Sequence, residues 1–218
     1  MKLIDIQRNY DTVISLGGSC QVAAQMARHS LRTFSGPIDW FIFSSVPCLI
    51  KALCSEFLGF MDYQNLEIMG SSDMNYVVRD SVFDCYSYHD FPLSCNEDIS
   101  SHYPQFKEKI DRRIQRFYQK LKNKESILFI RLLGESDDIR ELESVLSSLT
   151  KSDFTLLLVN HTTEQMVKEV DWDIPKVCSV EINDPPNLWS GRDQDWDILL
   201  NGVKTRDNLA SDYNVFYG

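Results

Sequence analysis

The sequence predicts an α/β protein: a single domain over residues 1–218, with a mainly parallel central sheet and flanking helices in Rossmann-like or flavodoxin-like layering. Three observations predict it. Strand and helix signals alternate in the first and last parts of the chain, as in successive βα units. The strand candidates are continuous apolar runs, which suits parallel strands buried on both faces. The helix candidates carry apolar residues at three- and four-residue steps, which suits helices that lay one face on a sheet.

Thr12-Val-Ile-Ser-Leu16 is the first strand, and it breaks through Gly17-Gly18-Ser19 into a helical run, Gln21-Val-Ala-Ala-Gln-Met-Ala-Arg28. A second helix is expected over Val46 to Leu58, capped by Ser44-Ser45, with Pro47 in its first turn and Gly59 at its end. From residue 60 to 103 the pattern changes to turn residues, aromatics and short alternating runs such as Tyr76-Val-Val-Arg79 and Val82-Phe-Asp-Cys-Tyr86, read as a β-hairpin or irregular insertion. Phe106, Ile110, Ile114, Phe117 and Leu121 then mark a helix, Ser126 to Leu132 a strand, and Ile139, Leu142, Val145, Leu146 and Leu149 another helix. Phe154 to Val159 is a third strand and Lys176 to Ile182 a weaker fourth. The irregular stretch Asp184 to Gly202 enters a short final helix over Asp193 to Val203.

Composition narrows the partners. With 43% hydrophobic and 11% aromatic residues, 218 residues suffice for one substantial core. The net charge of −10, from 32 acidic and 22 basic residues spread along the chain, argues against a nucleic-acid partner, which needs a basic face. The six cysteines lack Cys-x-x-Cys spacing, and Met1 to Arg8 has no long apolar stretch, so the expected setting is a reduced, cytoplasmic one without a secretory segment. Nothing approaches 18 continuous apolar residues, so no membrane partner is expected. No His/Cys ligand cluster suggests a metal, and no cofactor is implied.

Cys20 carries the chemical signal. A thiol where a strand turns into a helix faces unpaired backbone N–H groups and the positive end of the helix dipole, which favour a thiolate and can bind a developing oxyanion. The same turn also serves simply to make a tight βα connection around a buried, inert cysteine. Gly17-Gly18 is reminiscent of a phosphate-binding turn, although Gly-x-Gly-x-x-Gly is not matched.

A nucleophilic cysteine needs a base, and there are four histidines. His29 is about 13 Å along the same helix at 1.5 Å per residue, too far for proton transfer, and His102 sits in a polar loop. His89, in Tyr86-Ser-Tyr-His-Asp-Phe-Pro92, can be aimed into a cleft between aromatics, with Asp90 or Asp39 to orient it. His161 ends the strand Phe154 to Val159 at the carboxyl edge where open α/β sheets place ligands, the same edge as Cys20. The residues alone leave His89 and His161 unranked.

Further binding candidates surround these groups. Trp40, beside Asp39 in Phe34-Ser-Gly-Pro-Ile-Asp-Trp40, offers a stacking face or fills a turn. Trp189 and Trp196, among Asp193, Asp195 and Asp197, suit sugar hydroxyls or a loop folded over the sheet edge. Arg131, closing an apolar run as Phe-Ile-Arg, is suited to an anion or to a core carboxylate.

In combination, Tyr10-Asp-Thr-Val-Ile-Ser-Leu-Gly-Gly-Ser-Cys-Gln-Val-Ala24, Leu31-Arg-Thr-Phe-Ser-Gly-Pro-Ile-Asp-Trp40, Tyr88-His-Asp-Phe-Pro92, the Lys109 to Phe117 helix and Ile127-Leu-Phe-Ile-Arg131 give a chain that resembles a bacterial domain-of-unknown-function family described as putative papain-like cysteine peptidases. The resemblance implies Cys20 as nucleophile, His89 as its base, and Asp39 or Asp90 as a third member. The Cys-Gly-Ser-Cys-Trp signature of papain is absent, so the βα alternation guides the fold. The placement of Cys20 also looks like that of the serine in esterases of the Gly-Asp-Ser type, with the Gly18, Ser19 and Gln21 amides near an oxyanion.

The leading expectation is thus a cysteine hydrolase or acyltransferase acting on an amide, ester or thioester of a small molecule or peptide. The alternatives are a binding domain for an anionic sugar or nucleotide, using Gly17, Gly18, Ser19, Arg131 and the Trp/Asp segment, and an acidic protein-interaction module.

Overall fold

The computed structural model describes residues 1–96, 98–123, 126–185 and 188–206. A short α1 (Leu3–Ile6) and β1 (Asn9–Tyr10) precede β2 (Thr12–Ser15), α2 (Cys20–Arg28), β3 (Phe41–Phe43) and α3 (Val46–Cys54). Three strands follow, β4 (Leu66–Ser72), β5 (Asn75–Asp80) and β6 (Cys85–Pro92), then α4 (Tyr103–Asn123), β7 (Ser126–Leu132), α5 (Ser136–Leu149) and β8 (Asp153–Thr162). The described chain closes with β9 (Lys168–Val170), β10 (Val177–Asn183), α6 (Asp193–Leu199) and β11 (Lys204–Thr205), which pairs with β1. Within the stretch Asp184 to Gly202, Pro186 and Asn187 lie outside the described residues.

The fold is mixed α/β. In the central sheet β2, β7, β8 and β10 are parallel and stand side by side in chain order, with β9 antiparallel at the edge. Their apolar runs split by the period-two alternation of a strand. Ile127, Phe129, Phe154, Leu156 and Leu158 face a core shared with α3, α4 and α5, whereas Leu128, Ile130, Leu157 and Val159 face one shared with α2 and α6. Helices therefore cover both faces, but the strand order lacks the reversal that opens a ligand crevice in Rossmann-like and flavodoxin-like sheets.

A second sheet supplies the cleft. The segment expected to be a hairpin or irregular insertion builds, with β3, a four-stranded antiparallel sheet in the order β3-β6-β5-β4. Its inward residues Phe41, Val78, Cys85 and Phe91 join the α3–α5 core, so one apolar interior ties the two sheets together. Phe60 is the hub, with ring centroids of Phe57, Phe41, Phe83 and Phe43 at 5.2, 5.5, 5.6 and 6.0 Å. Each such pair adds about 0.5–1.5 kcal/mol beyond burial.

That hub explains why α3 stops four residues before the expected Leu58. Glu56 and Phe57 take left-handed backbone conformations (φ 50° and 58°), and the Phe57 N–H bonds the Ala52 carbonyl at 2.8 Å in a helix-closing turn. The turn puts Phe57 into the core at 3% exposure, so burial of a large ring outweighs helix propensity. Among the described residues no helix is long and apolar enough to cross a membrane.

Candidate active site

Cys20 opens α2 directly after β2. Gly17 and Gly18 have φ of 69° and 103°, conformations that disfavour a side chain. A Cβ on Gly18 would overlap the Leu132 carbonyl, and one on Gly17 would stand 2.8 Å from Ile38 Cγ2. The double glycine thus lets the turn pass between β7 and the segment before β3. Ser19 caps the helix, its Oγ accepting the Gln21 N–H at 3.1 Å, so that one amide of the expected oxyanion set is engaged.

His89 comes from β6, and an irregularity in that strand aims it. Val78 pairs with Ser87 and Tyr76 with Phe91, so two residue steps on β5 oppose four on β6. The extra length is a bulge over Tyr88, His89 and Asp90. Ser87 and Phe91 are buried on either side while His89 is exposed. The bulge turns it out of the alternation and toward α2, leaving its Nε2 3.4 Å from Cys20 Sγ. Trp40, just before β3, packs edge-on to the imidazole with centroids 5.7 Å apart.

These side chains line a cleft of about 320 Å³ whose walls are mostly apolar: Trp40, Ile42, Tyr88 and Trp189, with Ser19, Ser72 and Asp73 at its polar positions. Burial pushes the Cys20 thiol up from its ordinary value, its own backbone N–H draws it partly back, and the nearby Asp90 charge pushes it up again. Burial thus works against the standing thiolate expected of a helix N-terminus.

Neither candidate acid is bonded to His89. Asp39 is buried and held by Arg32, at 2.9 Å from Nε and 2.8 Å from its terminal nitrogen, and by the Gly36 N–H at 3.0 Å. Burial raises the Asp39 carboxyl above its ordinary value, and Arg32 only partly offsets this. The Arg32 guanidinium in turn lies over the Trp40 ring, 5.5 Å from its centroid, so Asp39 reaches His89 only through Arg32 and Trp40. Asp90 bonds Ser87 Oγ and Lys109 Nζ, each at 2.5 Å. With Nε2 accepting the thiol proton the ring hydrogen sits on Nδ1, and no described carboxylate bonds it.

The remaining predicted residues lie elsewhere. His161 Nδ1 faces Asp184 at 3.2 Å, and His161 does not line the Cys20 cleft. Arg131 is 2% exposed and directs Nη1 and Nε to the Leu16 and Leu133 carbonyls at 2.8 and 3.2 Å, with burial pulling it down to about 10. The Gln21 side chain is buried near Gly191, away from the cleft. Trp196 is fully buried in the core, whereas Trp189 is 67% exposed at the cleft mouth. Ile42, Ser72, Asp73 and Tyr88 escaped the sequence reading. Ile42 could have been found from its two-residue spacing to Trp40, but Ser72 and Asp73 are brought in only by the β4–β5 turn.

Among the described residues no group of three or more His, Cys, Asp or Glu could hold a metal ion. No solved structure matches the chain. It is 27% identical over 216 residues to the uncharacterized protein R408 of Acanthamoeba polyphaga mimivirus, an alignment covering 86% of this chain and 96% of that protein. This relative is viral, and the comparisons supply no bacterial origin. A family profile matches residues 11–164, a span that holds Cys20, Trp40, His89 and Asp90 together. The chain belongs to the family described as "Putative papain-like cysteine peptidase (DUF1796)".

Proposed function

We propose that this protein is a cysteine hydrolase or acyltransferase in which Cys20 is the nucleophile and His89 the general base and acid. The observation that supports it most is the 3.4 Å approach of Cys20 Sγ to His89 Nε2 inside a cleft, made by two elements 69 residues apart. An inert core thiol has no need of a bulge that lifts a histidine out of its strand to meet it.

In the proposed cycle Sγ attacks the carbonyl carbon of an amide, ester or thioester as its proton passes to His89 Nε2, and the carbonyl electrons move to oxygen. The free amides of the first turn of α2 face that oxyanion, while the Gln21 amide stays with Ser19. Collapse re-forms the carbonyl and breaks the bond to the leaving group, which takes the proton from His89. Water or an acceptor then attacks the thioester, gives its proton to His89, and releases Cys20 with the proton returned to sulfur. The acyl group is read by Trp40, Ile42, Tyr88 and Trp189, so apolar acyl groups are preferred. Asp39 is a positioning residue acting through Arg32 and Trp40.

The test is an acyl-enzyme trap with p-nitrophenyl hexanoate. Mass spectrometry is expected to find the hexanoyl group on Cys20, absent in Cys20→Ser, with acylation slowed by about 10²–10⁴ in His89→Ala, the usual worth of a positioned base. Acylation at equal rates with Cys20 removed would overturn the proposal.

A further inference from the structure

The second thiol–imidazole contact, Cys95 Sγ to His102 Nδ1 at 3.0 Å, borders none of the cavities described. The buried Arg131 is anchored through Nε and Nη1 on the Leu133 and Leu16 carbonyls.

Trp40 and His89 form a wall with two sides. One faces the Cys20 cleft; the other faces a hollow of about 360 Å³ lined by Asp90, Lys109 and Arg113. Lys109 and Arg113 lie one helical turn apart on α4, so both reach the same hollow. Their charges are not balanced. Lys109 is paired with Asp90, and Asp39 with Arg32. Arg113 is half-buried, and among the described residues it makes no hydrogen bond or ion pair. The Asp90 and Asp39 charges reach Arg113 only from a distance and leave its burial cost partly unmet, so a guanidinium here with no direct ion pair can take an anion, and its planar fork suits a carboxylate or phosphate.

Position decides which part of a substrate that anion belongs to. The hollow adjoins His89, the group that returns a proton to the leaving group, whereas the apolar cleft adjoins Cys20. We propose that the Trp40–His89 wall divides an acyl site from an anion site, and that Arg113 binds a carboxylate or phosphate carried by the leaving group or acceptor. This rests on the reading of Cys20 and His89 as nucleophile and base. The substrate class is then an apolar acyl group joined to an anion-bearing amine, alcohol or thiol. The bound anion also stands near the imidazolium formed when His89 takes a proton, a charge to which no described carboxylate is bonded.

Iodoacetate and iodoacetamide test this as an anionic and neutral pair of nearly equal size. The ratio of their alkylation rates at Cys20, read by peptide mass spectrometry, is expected to fall at least threefold in Arg113→Gln and to recover in part in Arg113→Lys. It is expected to stay at the wild-type value in Arg112→Gln, which removes an outward charge of the same helix. An equal ratio in wild type and Arg113→Gln overturns the anion site. The second measurement needs no reactive thiol: the Arg113 Nε–Hε resonance of the wild-type protein is titrated with inorganic phosphate and, separately, with N-acetylglycine. A saturable shift with either supports the site and identifies its anion; no saturable shift with both overturns it. A Cys20 inert to both alkylating agents beside a saturable Arg113 shift would sink the catalytic reading while leaving the anion site standing.

Discussion

Gly18→Ala, set against Gly70→Ala, measures what holds the nucleophile turn in place. Both glycines lie at positive φ, 103° and 142°, so an alanine at either adopts a backbone conformation that costs about 1–3 kcal/mol. They differ in room. A Cβ on Gly70, at the β4 irregularity, meets nothing within 4 Å, whereas one on Gly18 overlaps the Leu132 carbonyl of β7. Overpacking of this kind adds about 1–3 kcal/mol, for a total of about 2–6 kcal/mol at Gly18 against about 1–3 at Gly70. Urea denaturation at 25 °C reads the difference directly. Thermal scans should follow at about 2–4 °C per kcal/mol for a chain of this size. Equal losses in the two variants would refute the packing argument and return Gly18 to the role of a glycine kept for close approach of a ligand.

Other outcomes follow from the same geometry. Ser19→Ala removes the α2 cap and should cost about 1 kcal/mol in denaturant unfolding, with Ser19→Gly costing only a few tenths. Phe60→Ala empties the aromatic hub between the sheets and should cost about 3–5 kcal/mol by the same assay. Asp90→Asn removes a negative charge that holds the Cys20 thiol up, so the pH profile of Cys20 alkylation should move to lower pH with no loss of maximum rate. A large fall in maximum rate would make Asp90 the orienting acid instead.

Much of the central sheet was legible because its strands are buried on both faces and therefore read as apolar runs, as Ile127 to Ile130 and Leu156 to Val159 do. Cys20 was legible for a local reason, since a double glycine and a serine cap between strand and helix announce the turn. The histidine beside Cys20 was not legible from spacing, and only the family resemblance pointed to His89. Alternation along β6 is broken by the bulge at Tyr88–Asp90, and a bulge is fixed by pairing with β5, which has no signature within β6 itself. The geometric case for His161 assumed that ligands gather at the parallel sheet's carboxyl edge, but here the antiparallel sheet forms one wall of the cleft. Nor could spacing reveal that Arg32 takes Asp39, because that pairing depends on a turn which folds Arg32, Gly36 and Asp39 onto one another.

The central claim is that Cys20 is activated by His89. It is tested most directly by the pH dependence of Cys20 alkylation by iodoacetamide in the wild type, His89→Ala and His161→Ala. Burial disfavours the thiolate, so without a base the sulfur should gain about tenfold in rate per pH unit between pH 6 and 9, still rising at pH 9. The account predicts that profile for His89→Ala. At pH 7 the wild type and His161→Ala should react alike, at least about tenfold faster than His89→Ala. A His89→Ala profile that overlays the wild type, or a loss that follows His161 instead, would contradict it.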